Sequence, residues 1–191
     1  MPFYPTLRKT RMNKHARFTT NGFKLAVMAL AIGAAGSAMA ANNATATASS
    51  TVIQAIAITK NTDLAFGNFS VGSTGGSVTV ATNGTRTKTG DVVLMNGVTG
   101  TAAKFDVTGS GSLAYTITLG GDASLSDGAG HSMTLARVSD LTGAGATSGN
   151  VTQGALSAGA QSIYVGGVLT VGADQVAGNY SGSISATVDY Q

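Results

Sequence analysis

The stretch that most restricts this chain lies near its C-terminal end. From Ser183 to Tyr190 the sequence reads SISATVDY, so that Ile184, Ala186, Val188 and Tyr190 alternate with Ser183, Ser185, Thr187 and Asp189. Successive side chains of a β-strand point to opposite faces, and this period of two holds for the whole run. One face is apolar and one is polar. Burying Ile184, Val188 and Tyr190 contributes on the order of 5 kcal/mol, at about 1.5–3 kcal/mol per large side chain. That is comparable with the net stability of a whole domain.

Upstream segments carry the same signal in shorter pieces. Tyr115, Ile117 and Leu119 alternate with Thr116 and Thr118, and Phe105 and Val107 with Lys104, Asp106 and Thr108. Ser132–Val138 reads as a strand with Met133 and Leu135 facing inward, and Val92–Met95 as a buried-looking run. Val52–Thr59 is expected to be the first convincing strand, with Val52, Ile56 and Ile58 on one face. Leu64–Gly67 and Phe69 form a second, kinked at the glycine. Gly75-Gly76 and Asn83-Gly84 read as turns around Ser77–Val80. Gly166-Gly167 reads as the turn of a hairpin joining Ser162–Val165 to Val168–Val171. Leu141–Gly149 is a glycine-rich loop.

About nine short strands without a helical period predict an all-β immunoglobulin-like β-sandwich. A closed barrel is the runner-up. An eight-stranded membrane barrel is rejected, because it needs aromatic girdles and an apolar outer band. Gly, Ser, Thr, Ala and Val dominate, Trp and Glu are absent, and there is no cysteine. Stability must therefore come from burial and backbone pairing without a disulfide.

The N-terminal region has a different character. Arg8, Lys9, Arg11, Lys14, Arg17 and Lys24 precede the apolar run Leu25–Ala35, and Ala38-Met39-Ala40 follows. A basic start, a short apolar stretch and small residues at the cut are the marks of a secretory leader. The run is too short to span a membrane, which takes about 20 apolar residues. Signal peptidase is expected to cut between Ala40 and Ala41, with Ala38 the other small residue read. Met12, followed by Asn13-Lys14, would make a more ordinary start than Met1. The expected organisation is a leader over 1–40, a small polar arm over 41–51 and a single domain over 52–191.

Six of the eleven Lys and Arg belong to that leader, so the overall charge of +3 misleads. Residues 41–191 hold five basic residues and eight Asp, a net charge of −3. The basic balance is thus no argument for nucleic acid.

Little in the exported part points to chemistry. His131 is its single histidine, beside Ser132 and near Asp122, Asp127 and Asp140 in sequence. The serine lacks the Gly-x-Ser-x-Gly elbow of a hydrolase, and His131 reads as a solvated turn residue. No second histidine or cysteine joins it as a metal ligand. Asp122–His131 (DASLSDGAGH) has oxygens for Ca²⁺ but lacks the spacing and closing Glu of an EF-hand. An Asp-Gly turn is the simpler reading. Tyr115, Tyr164, Tyr180 and Tyr190 could line a carbohydrate surface, but three lie on alternating strands and suit packing better. No enzyme activity, cofactor or metal is expected.

Two motifs carry a family resemblance. One is Ile58-Thr59-Lys60 followed by Asp63-Leu64-Ala65-Phe66-Gly67. The other is Gly166-Gly167-Val168-Leu169-Thr170-Val171-Gly172, then Gly178-Asn179-Tyr180-Ser181-Gly182 and Thr187-Val188-Asp189-Tyr190. They resemble a secreted bacterial family known as a domain of unknown function (number 4402), over residues 44–191. That family looks like a relative of pilin and spore-coat-U-type domains, which are sandwiches assembled by a chaperone and an usher.

The resemblance implies a structural subunit of the bacterial envelope or surface that assembles by strand exchange, the β-strand addition for which pilins are a standard example. Its partners would be a periplasmic chaperone, an outer-membrane usher and other copies of itself. Ile184, Ala186, Val188 and Tyr190 would form the assembly edge, and Val52, Ile56 and Ile58 a donor strand. The location would be the periplasm, the cell surface or a fimbrium. The competing expectation is a monomeric adhesin or glycan-binding module, self-complete with Val52–Thr59 as its own strand.

Overall fold

The computed structural model describes residues 43–191. The leader, with its cleavage residues Ala38, Ala40 and Ala41, lies outside the described residues. Ten strands and no helix make up the described part. They are β1 (Ala57–Thr62), β2 (Phe69–Val80), β3 (Arg86–Leu94), β4 (Ala103–Thr108) and β5 (Ala114–Gly121), then β6 (Ser124–Ser126), β7 (Ser132–Asp140), β8 (Gln153–Ala155), β9 (Ala160–Val171) and β10 (Ile184–Tyr190).

The strands form two antiparallel sheets. The larger runs β1-β4-β9-β2-β3, with β7 along the other edge of β9 and β6 beyond it. The smaller runs β10-β5-β8. Strand β9 organises the larger sheet. Its first half pairs with β4, its second half with β2, and β7 runs along most of the opposite edge.

Alternation decides which residues are inside. Phe105 and Val107 of β4 and Ile163 and Val165 of β9 face Tyr115 and Ile117 of β5 and Val188 of β10. This core joins the two sheets into a sandwich. A second core lies on the other half of the larger sheet. It gathers Val78 and Val80 of β2, Val92 of β3, Met133 and Leu135 of β7, and Leu169 and Val171 of β9, with Phe66 from the β1–β2 connection. No strand of the smaller sheet contributes to its buried set. Leu64, Phe69, Leu125, Tyr180 and Ile184 pack against it instead.

Several sequence expectations change. Gly166-Gly167 is not a turn, because β9 runs straight through it. A Cβ on Gly166 would collide with the Val80 carbonyl oxygen, and one on Gly167 would lie 2.8 Å from Leu135 Cδ1. The pair is there for close approach on both sides of a central strand, a use of glycine that mimics a turn signal. Gly75-Gly76 lies inside β2 at a break in register, and Gly75 has φ +69°. The first strand starts at Ala57, five residues later than Val52. Leu64–Gly67 forms no strand; Ala65 makes only an isolated bridge to Thr101. Strand β3 begins at Arg86, well before Val92, and carries Arg86, Lys88 and Asp91 at the sheet edge. Charge is compatible with a strand at an edge and hides it from an apolar pattern.

Candidate assembly site

Strand β10 is an edge. Seven positions, from Ile184 to Tyr190, pair with β5, and no other strand pairs with β10 among the described residues. Val188 is buried, Ile184, Ala186 and Tyr190 are half-buried, and Ser185, Thr187 and Asp189 are exposed. The period read from the sequence is therefore the real inside-outside pattern. Strand β1 also ends a sheet, with β4 as its one strand partner among the described residues.

Both ends of β10 are tied down. At its start, Asp122 Oδ2 accepts from the Ser183 backbone N–H at 2.6 Å and from the Ser183 hydroxyl at 3.0 Å. The Ser183 N–H and hydroxyl together hold the Asp122 carboxyl below its usual range. Arg137 Nη1 donates to the carbonyls of Gly121 and Asp122, at 3.2 and 3.0 Å. At its end, the Tyr190 hydroxyl accepts from the Ser110 backbone N–H at 2.7 Å and donates to the Gln54 carbonyl at 3.0 Å.

A cleft of about 1070 Å³ opens over the second core. One wall is the stretch from Thr62 to Val71; the other is Gln175 to Ile184, which leads into β10. Leu135 and Leu169 of the second core line it, together with Phe105 at the margin of the first. Both walls are mostly irregular chain, although the first runs into the start of β2. Where the first core is covered by three hydrogen-bonded strands, the second is covered largely by loops with a space between them. Tyr180 props the second wall: its hydroxyl accepts from Gln175 Nε2 and donates to the Val176 carbonyl, both at 2.8 Å.

Residues 43–56 form no strand, and all but Ile56 are exposed. Val52 is 95% exposed and Ile53 is 50% exposed. Ile56 and Ile58, by contrast, pack against the first core. The three residues grouped as a donor face thus separate: two are held by their own domain and only Val52 is free. The physical reason is that the chain joins β4 only from Ala57 onward.

The Phe66-Gly67 motif has a partner that the sequence did not reveal. Arg86 Nη1 donates to the carbonyls of Phe66 and Asn68, at 2.9 and 3.2 Å, and Nη2 donates to that of Met95 at 2.8 Å. Gly67 has φ +69°, and a Cβ there would collide with Arg86 Nη1. Glycine is needed both for backbone conformation and to let the guanidinium reach the main chain. The Arg86 clamp fixes the wall of the cleft. In the sequence, Arg86 is indistinguishable from its solvent-facing neighbour Lys88.

His131 closes a turn. Its Nδ1 lies 2.6 Å from Asp127 Oδ2, while Asp127 Oδ1 accepts from the N–H groups of Ala129 and His131 at 2.8 and 3.1 Å. Among the described residues no hydrogen bond joins the ring to Ser132, Asp122 or Asp140. The four tyrosines do not share a surface. Tyr115 is wholly buried, Gly143 covers part of the Tyr164 ring, and Tyr180 and Tyr190 are engaged as above.

The family model described as "Domain of unknown function (DUF4402)" matches residues 56–190. No curated protein matches the chain. The matched region starts at Ile56, the first residue of the arm to pack on the core, and ends at Tyr190, the last residue of β10.

Proposed function

This chain belongs to the DUF4402 family, and we propose that it is a non-enzymatic structural subunit of the bacterial cell envelope or surface, exported and assembled in a pilin-like way by strand insertion. One observation carries the reading. The second core is roofed largely by loops around a cleft of about 1070 Å³, whose lining reaches Ile184, the first residue of a C-terminal strand that pairs on one edge alone among the described residues. A free edge offers backbone donors and acceptors to an incoming strand, and the cleft offers room for its alternate side chains.

The donor is the exposed arm, redrawn as Asn43–Ile53 because Ile56 and Ile58 are held in the first core. Cleavage after Ala40 leaves this arm at the N-terminus. The acceptor edge is the strand that carries Ile184, Ala186, Val188 and Tyr190. A periplasmic chaperone lends a strand first, an usher receives the subunit, and another copy of the chain then replaces the lent strand.

The test is to express the chain with its leader in a bacterium and to isolate the exported protein without boiling. A detergent-resistant ladder that disappears when residues 43–53 are deleted supports the reading, as does a stable complex with a periplasmic chaperone. An exported monomer that neither polymerises nor binds a chaperone, and melts at the same temperature with and without the arm, overturns it.

A further inference from the structure

Two Asn-Gly pairs occur in the described chain, Asn83-Gly84 and Asn96-Gly97, and the fold treats them oppositely. At the first, both reacting groups are held. The Gly84 N–H donates to the Ala81 carbonyl at 2.8 Å, and Asn83 Oδ1 accepts from the Thr85 N–H at 2.9 Å. The Asn83 amide is also packed against Gly145, where an added Cβ would lie 2.8 Å from Nδ2.

At the second, nothing holds them. Among the described residues neither the Gly97 N–H nor the Asn96 side chain makes a hydrogen bond that meets the geometric limits of one. Residues 95–99, in the β3–β4 connection, are all exposed, and no atom lies within 4 Å of where a Gly97 Cβ would sit. Gly97 has φ +89°, and without a side chain its nitrogen can approach the preceding amide.

We propose that Asn96 is a site of spontaneous hydrolytic modification in the folded protein and that Asn83 is protected from it. The Gly97 backbone nitrogen gives up its proton and bonds to Asn96 Cγ. The bond from Cγ to Nδ2 breaks, and Nδ2 leaves as ammonia with that proton. The resulting five-membered imide is opened by water at either carbonyl, giving aspartate or isoaspartate. No electrons are exchanged, and solvent water is the only co-reactant. The product carries a carboxylate on the rim of a recess of about 220 Å³ that Arg86 also lines. The modification therefore places a negative charge on a recess shared with the cation that clamps the cleft wall.

The full-length exported protein is incubated at mildly alkaline pH, digested under acidic conditions and analysed by peptide mass spectrometry. The Asn96 peptide is expected to gain about 1 Da, the replacement of an amide by an acid, and to do so faster as pH rises. The Asn83 peptide stays unchanged over the same period. The Gly97→Ala variant slows the reaction at Asn96. In denaturant both asparagines convert, which shows that the fold and not the local sequence sets the difference. Conversion of Asn83 as fast as Asn96 in the folded protein overturns the proposal. So does an Asn96 that survives in the folded state for as long as it takes to convert in denaturant.

Discussion

Tyr190 donates its phenolic hydrogen to the Gln54 carbonyl, 3.0 Å away and 136 positions earlier in the chain. The phenolic oxygen of Tyr190 in turn accepts from the Ser110 N–H. One hydroxyl thus joins the last residue of β10, the root of the arm and the loop after β4. Removing it in Tyr190→Phe leaves the partly buried Ser110 N–H without its partner. Such a loss costs about 1–3 kcal/mol. A lower denaturation midpoint is expected, with faster proteolytic nicking of the arm before Ile56. An unchanged midpoint would show that water replaces the hydroxyl at Ser110.

Tyr115 predicts the reverse. It is fully buried and its hydroxyl has no hydrogen-bond partner. Burial pushes its ionisation upward, so it stays neutral. A desolvated, unpaired hydroxyl opposes folding, so Tyr115→Phe should be neutral or stabilising by up to about 1 kcal/mol. Thermal melts of the two proteins decide it; a fall in melting temperature would mean that the hydroxyl is satisfied by ordered water.

The pairing of Gly67 with Arg86 should show non-additivity. Gly67→Ala adds a Cβ at positive φ into the guanidinium, a strain of about 1–3 kcal/mol before the clamp is disturbed. Arg86→Ala removes the three donations to carbonyls. The double variant should be less destabilised than the sum of the singles, because the collision is gone once the guanidinium is absent. Chemical denaturation of the four proteins measures it, and strict additivity would deny the contact.

Acid sensitivity should centre in part on Asp140. Burial pushes its carboxyl upward, but the Thr82 hydroxyl and the N–H groups of Gly143, Thr142 and Ala144 outweigh this and hold it below the ordinary value. A depressed folded-state pKa adds stability at pH above the unfolded value, and this is lost as pH falls through the folded one. Stability measured from about pH 6 down to pH 2 should fall less steeply in Asp140→Asn than in the parent. The variant should also be weaker at neutral pH, since an amide accepts these bonds less well. Equal slopes would remove Asp140 from the acid response.

The β class and most inner faces were legible because alternation is local: Phe105, Val107, Tyr115, Ile117, Met133, Leu135 and Val188 all face the core as their spacing implies. Glycine was the main source of error. A pair such as Gly166-Gly167 looks the same whether it turns the chain or lets neighbouring strands press against it, and only the neighbours distinguish the two. The short strands β6 and β8 were missed because three residues cannot display a period. At the site, the face of β10 was readable, while the cleft, the Arg86 clamp and the Tyr190 tether were not. Each depends on residues tens of positions apart, which no local pattern joins.

The seven rungs between β10 and β5 also have a mechanical meaning. A strand inserted beside β10 would transmit tension along the strand axis, and the rungs of an antiparallel pair lie across that axis. Such a load shears all of them together, whereas a pull on one end would peel them singly. With no covalent cross-link to share the force, the resistance of this domain to stretching would be set by that ladder and by the side chains of Ile184, Val188 and Tyr190 interlocked beneath it.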